Sequence, residues 1–239
     1  MSIVLPKKFI DRSLDQKYKH LEGKEKISYS QVTSWKDNSY RPGYIKQYMC
    51  GITLPDGIFA NFGSACGTYI EGIATGNLDC HDEYKHLLSD DDRKILENLD
   101  YPDNCVYEDY IVIDLGDFVM EGYADRCHYA EDMKLATTDF KTGSIAKKKD
   151  DYASLDYKQT SVYSYQKELE GHTIYDSGVI LLDRAGNNSP KSPIRLTGKI
   201  EYIPTPYDRI ATEEFLDGTV RKVVQEISDY YQQYLKLFK

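Results

Sequence analysis

The sequence predicts an α/β fold in which a central mixed β-sheet is flanked by helices. Segments with apolar residues at spacings of three and four, typical of amphipathic helices, lie on both sides of a region of short apolar and alternating segments typical of strands. The chain has 239 residues, enough for one sizeable domain, and no repeat or linker-like tract divides it. We therefore expect a single domain over residues 1–239.

The first part of the chain is predicted to be mainly helical. Ser28 or Ser30 can cap a short helix within ISYSQVTSW. The small residues of FGSACGTYIEGIATG would let a second helix pack closely against a neighbour. Residues 83–99 are predicted to form a third, because Ser89 and Asp92 have the spacing of a capping box ahead of an apolar run.

From about residue 110 the pattern changes to strands. YIVIDLG, DFVMEGYADRCHY and KLATTDFKTG are predicted strands, and the last two are joined by a turn at 130–132. After a lysine-rich loop at 147–149, YKQTSVYSYQKELEG has a helical pattern that ends at Gly171. SGVILLDR and IRLTGKIEYIP are two further strands, and a long C-terminal amphipathic helix from Thr212 carries a stripe of core residues.

Composition and charge narrow the functional classes. The formal net charge of −9 argues against a protein that binds nucleic acid through a general basic coat, but it allows a local basic groove or an enzyme that gathers carboxylates around a metal ion. Five cysteines without a CxxC pair are typical of a reduced intracellular protein. The pairs Cys80-His81 and Cys127-His128 lack the spacing of metal ligands and are expected to be structural or incidental. With no predicted signal peptide or membrane segment, we expect a cytoplasmic protein that does not bind membranes.

The predicted hairpin carries three charged residues that could perform chemistry. Side chains alternate along a strand, so Asp139 and Lys141 share a face, and pairing around the turn would bring Asp125 beside Asp139. Two carboxylates that close repel each other unless a proton or a cation such as Mg²⁺ intervenes. Lys141 could then hold or help to deprotonate a metal-bound water, while Phe140 would point into the core and offer its backbone carbonyl as a further ligand. The same pattern is also typical of a solvated strand face with cross-strand ion pairs.

Four motifs together resemble a known family. FGSACGTYIEG, GYADR, TDFKTG and QTSVY occur in the order in which the PD-(D/E)XK nucleases, and most closely their RecB-like branch, present an acidic helix, GxxD, DxK and QxxxY. The resemblance covers about residues 28–185 and leaves the C-terminal strand and helix, 194–239, outside it. It implies a restriction-endonuclease-like core for the sheet. The residues that match the motifs are Glu71, Asp125, Asp139, Lys141, Gln159 and Tyr163.

The resemblance implies a role for each matching residue. Glu71 and the two hairpin aspartates would hold one or two metal ions, and Lys141 would position the attacking water. Gln159 would orient that water or a metal ligand, and Tyr163 would face the substrate. Three lysines in the predicted loop, Lys147, Lys148 and Lys149, lie near the proposed site in sequence and could contact the DNA backbone.

Two departures from the family bear on the cofactor. Many RecB-like enzymes have a histidine four residues before the helix acid, where this chain has Gly67, so we expect Mg²⁺, with Mn²⁺ as an alternative. Relatives with an iron–sulfur cluster use cysteines near the C-terminus, whereas the last cysteine here is Cys127, inside the core. No iron–sulfur cluster is therefore expected.

The expected function is metal-dependent hydrolysis of DNA phosphodiester bonds. Compact RecB-like nucleases resemble exonucleases of recombination, repair or phage DNA metabolism, so an exonuclease is expected. Its partners would be DNA and a helicase, recombinase or single-strand-binding protein, and it could form a homo-oligomer. Two alternatives remain: a catalytically silent nuclease-like protein that binds DNA ends or a partner, and a structure-specific endonuclease or RNase.

Overall fold

A computed structural model describes residues 3–7, 13–78, 84–187 and 189–238 of the chain. The Cys80-His81 pair and the first residue of the helix predicted over 83–99 lie outside these ranges. Within them, no helix has both the length and the apolar character needed to cross a membrane. The described cysteines are free thiols: Cys50, Cys66, Cys105 and Cys127.

Helices predominate before β2, three consecutive strands follow, and the rest of the chain consists of two helices, two strands and the C-terminal helix. The α-helices are α1 (Tyr29–Lys36), α2 (Arg41–Tyr44), α3 (Ile58–Thr75), α4 (Asp90–Glu97), α5 (Ile145–Ala153), α6 (Gln159–Leu169), α7 (Arg209–Glu214) and α8 (Arg221–Phe238). The strands are β1 (Glu25–Ile27), β2 (Cys105–Asp114), β3 (Phe118–Tyr129), β4 (Lys134–Gly143), β5 (Thr173–Ala185) and β6 (Arg195–Pro204). Short 3₁₀ turns lie at Gln16–Leu21 and Lys85–Leu87, and π-helical turns at Ile45–Met49 and Phe215–Val220.

The strands form a mixed sheet in the order β1-β3-β4-β5-β6, and β2 pairs with β3 outside that path. β1 pairs with β3 and β4 with β5 in parallel, whereas the β3–β4 and β5–β6 pairs are antiparallel. Helices flank the sheet, and α7, the second π-turn and α8 follow one another without a break to form the long C-terminal helix. The predicted α/β fold is confirmed.

The chain divides into two compact units by its internal contacts. The first comprises Met1–Pro55, Tyr110–Gly122 and Arg209–Lys239. It contains a small apolar cluster in which Leu14, Tyr18 and Leu21 pack with Val112 and Val119. Helix α8 buries the predicted stripe as far as Ile227, and beyond it the exposed side chains include Leu237 and Phe238.

The second unit comprises Asp56–Asp109 and Tyr123–Asp208 and contains every predicted site residue. In its main cluster the buried face of α3, including Phe62 and Ile70, packs with Leu96 of α4 and Leu182 of β5. Phe140 packs against the same cluster, so the prediction that its side chain points into the core is confirmed. The single-domain interpretation stays a prediction.

Reciprocal capping boxes begin two of the helices. Ser28 and Gln31 form a reciprocal capping box at the start of α1, and Ser89 and Asp92 form one at α4, as predicted. Helix α4 ends at Glu97 because the Asn98 side chain turns back to donate to the Lys94 carbonyl at 2.6 Å. The predicted turn between β3 and β4 is also present at its expected place.

Lysines 147–149 lie in helix α5, so their prediction as a loop is wrong. The Asp183 carboxylate, from a distant strand, accepts the Ile145 N–H at 2.9 Å and caps the helix from outside its own sequence. A second difference is that α6 begins at Gln159, later than the pattern suggested. Strand β2 begins at Cys105, earlier than predicted, directly after Asn104 in a left-handed conformation.

Candidate active site

The two hairpin strands separate at the predicted carboxylates. Regular β3–β4 pairing reaches Arg126 opposite Thr138, and the next position on each strand is Asp125 and Asp139. At this position the Phe140 N–H donates to a side chain: Asp125 Oδ2 accepts it at 2.7 Å. This brings the two aspartates together at the point where the strands part, as the sequence predicts.

Asp139 is fully buried, and its two oxygens differ. Oδ2 forms an ion pair with Lys141 Nζ and accepts a hydrogen bond from Tyr157 at 2.9 Å. Oδ1 is buried with no hydrogen-bond partner. An unsatisfied buried carboxylate oxygen carries a desolvation cost, so this atom is available to accept a further hydrogen bond or to bind a cation.

The electrostatics of this group depend on burial and mutual repulsion. Burial, followed by the charge of Asp139, raises the pKa of Asp125 well above its usual value, although Lys141 and the Phe140 N–H act in the opposite direction. Burial alone would lower the pKa of Lys141, but the charges of Asp139 and Asp125 outweigh it and raise that pKa. Lys141 is therefore a permanent ammonium group, and two carboxylates compete for its single charge.

Helix α6 places the predicted Gln159 and Tyr163 next to Asp139. Gln159 Nε2 donates to the Tyr163 hydroxyl at 2.6 Å, across one helical turn. The single proton of the Tyr157 hydroxyl is shared between Asp139 Oδ2 at 2.9 Å and Gln159 Oε1 at 3.2 Å. Burial raises the pKa of Tyr163, and the charges of Asp139 and then Asp125 raise it further. A chain of hydrogen bonds therefore runs from Asp139 through Tyr157 to the helix.

The predicted substrate role of Tyr163 stays a prediction. The side chain is buried, with 5% of its surface exposed, and its hydroxyl is held by Gln159. In this arrangement the Tyr163 hydroxyl is held within α6.

Glu71 is connected to the aspartates through a residue that the sequence reasoning missed. Glu71 lies near the end of α3, one helical turn after Gly67. Its charge interacts with that of Glu108 on β2. Part of the Glu108 side chain is exposed to solvent. Desolvation by the surrounding protein, followed by the charges of Glu71 and Asp139, nevertheless raises the pKa of Glu108 to about 6. Glu108 therefore lies within electrostatic range of Glu71 and Asp139.

The lysines of α5 lie on an exposed surface. Lys148 pairs with Asp151 at 2.8 Å, and Lys149 pairs with Glu201 of β6. Lys147 is exposed near the start of the same helix. Two of the three predicted DNA contacts are therefore engaged with acidic side chains, and their role toward DNA stays a prediction.

A divalent cation fits the chemistry of the aspartate pair. Hard cations take carboxylate oxygens, and here one buried oxygen has no partner while its neighbour carboxyl resists ionisation. Among the described residues, however, no three His, Cys, Asp or Glu side chains already lie close enough to enclose a metal ion. Asp125 and Asp139 thus offer part of a ligand set, which other groups would complete.

Sequence signals for the missed residues exist but are weak. Tyr157 lies two residues before Gln159 in the sequence. The ring of Tyr152 in α5 packs edge-on against the Tyr157 ring, with the centroids 5.2 Å apart. Glu108 and Asp109 interrupt an otherwise apolar and aromatic strand, CVYEDYIVID. Each of these residues is placed by strand pairing or helix docking, which the local sequence does not encode.

Comparison with known proteins gives distant structural likenesses only. No family model and no curated protein matches the sequence. The crystal structure of a protein from Eubacterium rectale that carries the provisional name exonuclease is similar, with a TM-score of 0.47, 13% identity, and coverage of 90% of this chain and 88% of that one. The crystal structure of SSO0001 is similar with a TM-score of 0.30, 11% identity, and coverage of 71% and 79%. At these scores neither likeness decides the function.

Proposed function

We propose that this protein is a divalent-metal-dependent nuclease that hydrolyses DNA phosphodiester bonds. The observation that supports it is the pairing of a fully buried carboxylate, Asp139, with the half-buried carboxylate of Asp125. One oxygen of Asp139 pairs with Lys141, and its other oxygen has no hydrogen-bond partner. A solvated strand face with cross-strand ion pairs would not bury Asp139 completely beside a second carboxylate, so that interpretation does not account for this group.

In this proposal Asp125 and Asp139 hold the cation, with Glu71 and the Phe140 carbonyl as further candidate ligands. A bound Mg²⁺ would neutralise phosphate charge and lower the pKa of a bound water. The Phe140 N–H fixes the orientation of the Asp125 carboxylate, since it occupies Oδ2 at 2.7 Å. Phe140 therefore ties the hydrophobic core directly to the site.

Lys141 serves as a fixed positive charge. Because its pKa is raised, the ammonium group keeps its proton and is not suited to act as a base. It would instead donate a hydrogen bond to the attacking water and stabilise negative charge that develops on the phosphate. Gln159 is held through Tyr157 and would keep the Asp139 carboxylate in place.

The proposal extends to an exonuclease that acts on DNA ends, with Mg²⁺ as the cofactor and Mn²⁺ as an alternative. The net charge of −9 supports a helper protein or a homo-oligomer in DNA binding, because the chain as a whole repels DNA. A helicase, recombinase or single-strand-binding protein would supply that function.

Cleavage of linear and circular DNA, single- and double-stranded, tests the proposal. With Mg²⁺ we expect wild-type protein to degrade linear DNA, and Asp139→Asn and Lys141→Ala to be reduced at least about 100-fold, the scale of losing an electrostatic group that acts on the reaction. Lys191→Ala, which changes an exposed lysine in the β5–β6 connection, is the control and should cleave normally. Undiminished cleavage by both site variants would exclude this site as the source of activity.

A further inference from the structure

We propose that Arg184, near the end of β5, binds a phosphate of the DNA backbone beside the candidate active site. The inference rests on the proposed function, because it assigns to the nuclease a contact with a phosphodiester group that is not cleaved. Arg184 belongs to none of the four sequence motifs that resemble the nuclease family.

Arg184 differs from the other arginines that the structure describes, because it has neither a hydrogen-bond partner nor an ion-pair partner. Its Nε is buried without an acceptor, and no carboxylate of a described residue pairs with the guanidinium group. The remaining described arginines each donate at least one hydrogen bond: Arg41, Arg93, Arg126, Arg195, Arg209 and Arg221. In a chain with 39 acidic and 30 basic residues, Arg184 is therefore an uncompensated positive charge.

The carboxylate next to Arg184 in sequence is engaged elsewhere. Asp183 Oδ1 accepts the Ile145 N–H at 2.9 Å at the start of α5, and its Oδ2 accepts the Thr197 hydroxyl at 2.8 Å. Successive side chains of a strand point to opposite faces of the sheet, so Asp183 points away from Arg184. The guanidinium group thus keeps its charge free for a ligand.

Phe59 of α3 holds the guanidinium group in place. Arg184 Cζ lies 4.0 Å from the centroid of the Phe59 ring, which is a cation–π contact. Arg184 is half-buried, and Nε is its only nitrogen that is buried without a partner, so both Nη groups reach solvent. A guanidinium group fixed in this way presents a planar set of donors that suits the oxygens of a phosphate.

Strand pairing places Arg184 at the same edge of the sheet as Lys141. Strands β4 and β5 are parallel, with Lys141 opposite Leu181 and Gly143 opposite Asp183, so their carboxyl ends meet at one edge. Arg184 lies three positions beyond Leu181, or about 10 Å along the strand at about 3.3 Å per residue. Along one strand of duplex DNA this distance spans about three phosphates at about 3.4 Å each. A DNA strand that crosses this edge can therefore place its cleaved phosphate near Lys141 and another phosphate at Arg184.

Fluorescence anisotropy with labelled duplex DNA in Ca²⁺ tests the inference without measuring cleavage. We expect Arg184→Gln to weaken binding about tenfold or more, as for loss of a hydrogen bond to a charged group. The slope of log K against log salt should become shallower by about 0.9, because one phosphate contact is lost. Arg184→Lys keeps the charge and should keep the slope, but it should bind less tightly than wild type because an ammonium group lacks the planar set of donors.

Arg209→Gln is the matched control. It removes the same charge from an exposed arginine of α7 that already pairs with Glu213, and it should bind DNA as wild type does. Wild-type affinity and slope in Arg184→Gln, an equal loss in Arg209→Gln, or no DNA binding by the wild-type protein would each overturn the inference.

Duplexes with a single methylphosphonate linkage, which removes one phosphate charge, locate the contact. In the wild-type protein one such linkage, about three nucleotides from the cleaved one, should weaken binding about as much as Arg184→Gln does. Arg184→Gln should be insensitive to the same linkage, because both changes remove one interaction. If wild type and Arg184→Gln respond equally at every linkage, Arg184 contacts no phosphate and the inference is wrong.

Cleavage and folding are measured separately. Arg184→Gln should raise KM and leave kcat unchanged, because the contact is the same before and during the reaction. A lower melting temperature with unchanged DNA affinity would assign Arg184 a structural role instead. DNA binding that needs Arg184 without any cleavage refutes the proposed nuclease alone, whereas cleavage by Arg184→Gln with the wild-type KM refutes this inference alone.

Discussion

At the scale of one residue, the charged form of Asp125 lowers the stability of the folded protein. Its carboxyl group is held by a single backbone donor and faces a second buried carboxylate. In the absence of a cation the charged form is disfavoured, which is why its pKa is raised. Groups poised in this way are common at functional sites, because the cost is recovered when the ligand binds.

The raised pKa predicts how Asp125→Asn changes stability with pH. The folded protein binds this proton more tightly than the unfolded chain does, so the group costs nothing below its unfolded pKa and destabilises as pH rises through its folded pKa. In metal-free buffer we therefore expect Asp125→Asn to raise the melting temperature at pH 7, and to raise it less at pH 4. The amide can still accept the Phe140 N–H, so the hydrogen bond is retained.

Thermal unfolding by circular dichroism in EDTA at the two pH values measures this effect. Asp103→Asn, at an exposed aspartate before β2, serves as the control and should change the melting temperature little at either pH. A melting temperature of Asp125→Asn below that of wild type at pH 7 would contradict the prediction.

At the scale of elements, the connection between β5 and β6 depends on a glycine. These antiparallel strands are linked by a segment in which Gly186 has a φ of 96°, and a Cβ at this position would lie 2.1 Å from the Pro193 carbonyl oxygen. The Asn187 N–H donates to the Ser192 carbonyl at 3.0 Å and holds the two sides of the connection together. The close approach of the backbones therefore requires glycine.

Gly186→Ala is predicted to destabilise the protein by about 2 kcal/mol or more, because the methyl group meets rigid backbone in addition to the cost of a left-handed conformation. Gly198→Ala is the matched control: its φ is 83°, but the nearest atom to a Cβ is Ile95 Cδ1 at 4.0 Å. It should cost only the conformational term, about 1 kcal/mol. Urea unfolding of both variants measures the difference, and equal losses would show that the contact with Pro193 is relieved by movement.

Charge is the property of the whole molecule that constrains its proposed activity. A net charge of −9 means that any attraction to DNA must be local. The exposed lysines of α5 are the predicted source, although Lys148 and Lys149 already pair with acidic side chains. DNA would have to displace these partners, which weakens the contact.

Salt dependence of DNA binding tests this source of attraction. Each neutralised phosphate contributes about −0.9 to the slope of log K against log salt, so three lysines predict a slope no steeper than about −2.7. The triple variant Lys147→Ala, Lys148→Ala and Lys149→Ala should reduce both the affinity and the slope, as measured by fluorescence anisotropy with labelled duplex in Ca²⁺. A slope that the triple variant leaves unchanged would place the DNA-binding surface elsewhere.

The sequence by itself located most of the longer helices and strands, and it placed two residues of the candidate site on one face of a strand. Periodicity and capping residues located the helices and strands, since both are local properties, and alternation along β4 put Asp139 and Lys141 on one face. The helix α5 was missed because its cap, Asp183, comes from a distant strand.

Only the tertiary structure decided which further groups meet these residues. The hydrogen bond between Asp125 and the Phe140 N–H depends on where two strands separate, and Tyr157 reaches Asp139 because the segment before α6 packs on the sheet. Each contact joins residues whose separation in sequence carries no periodic signal, so their meeting follows from packing and from the cost of leaving buried polar groups unpaired.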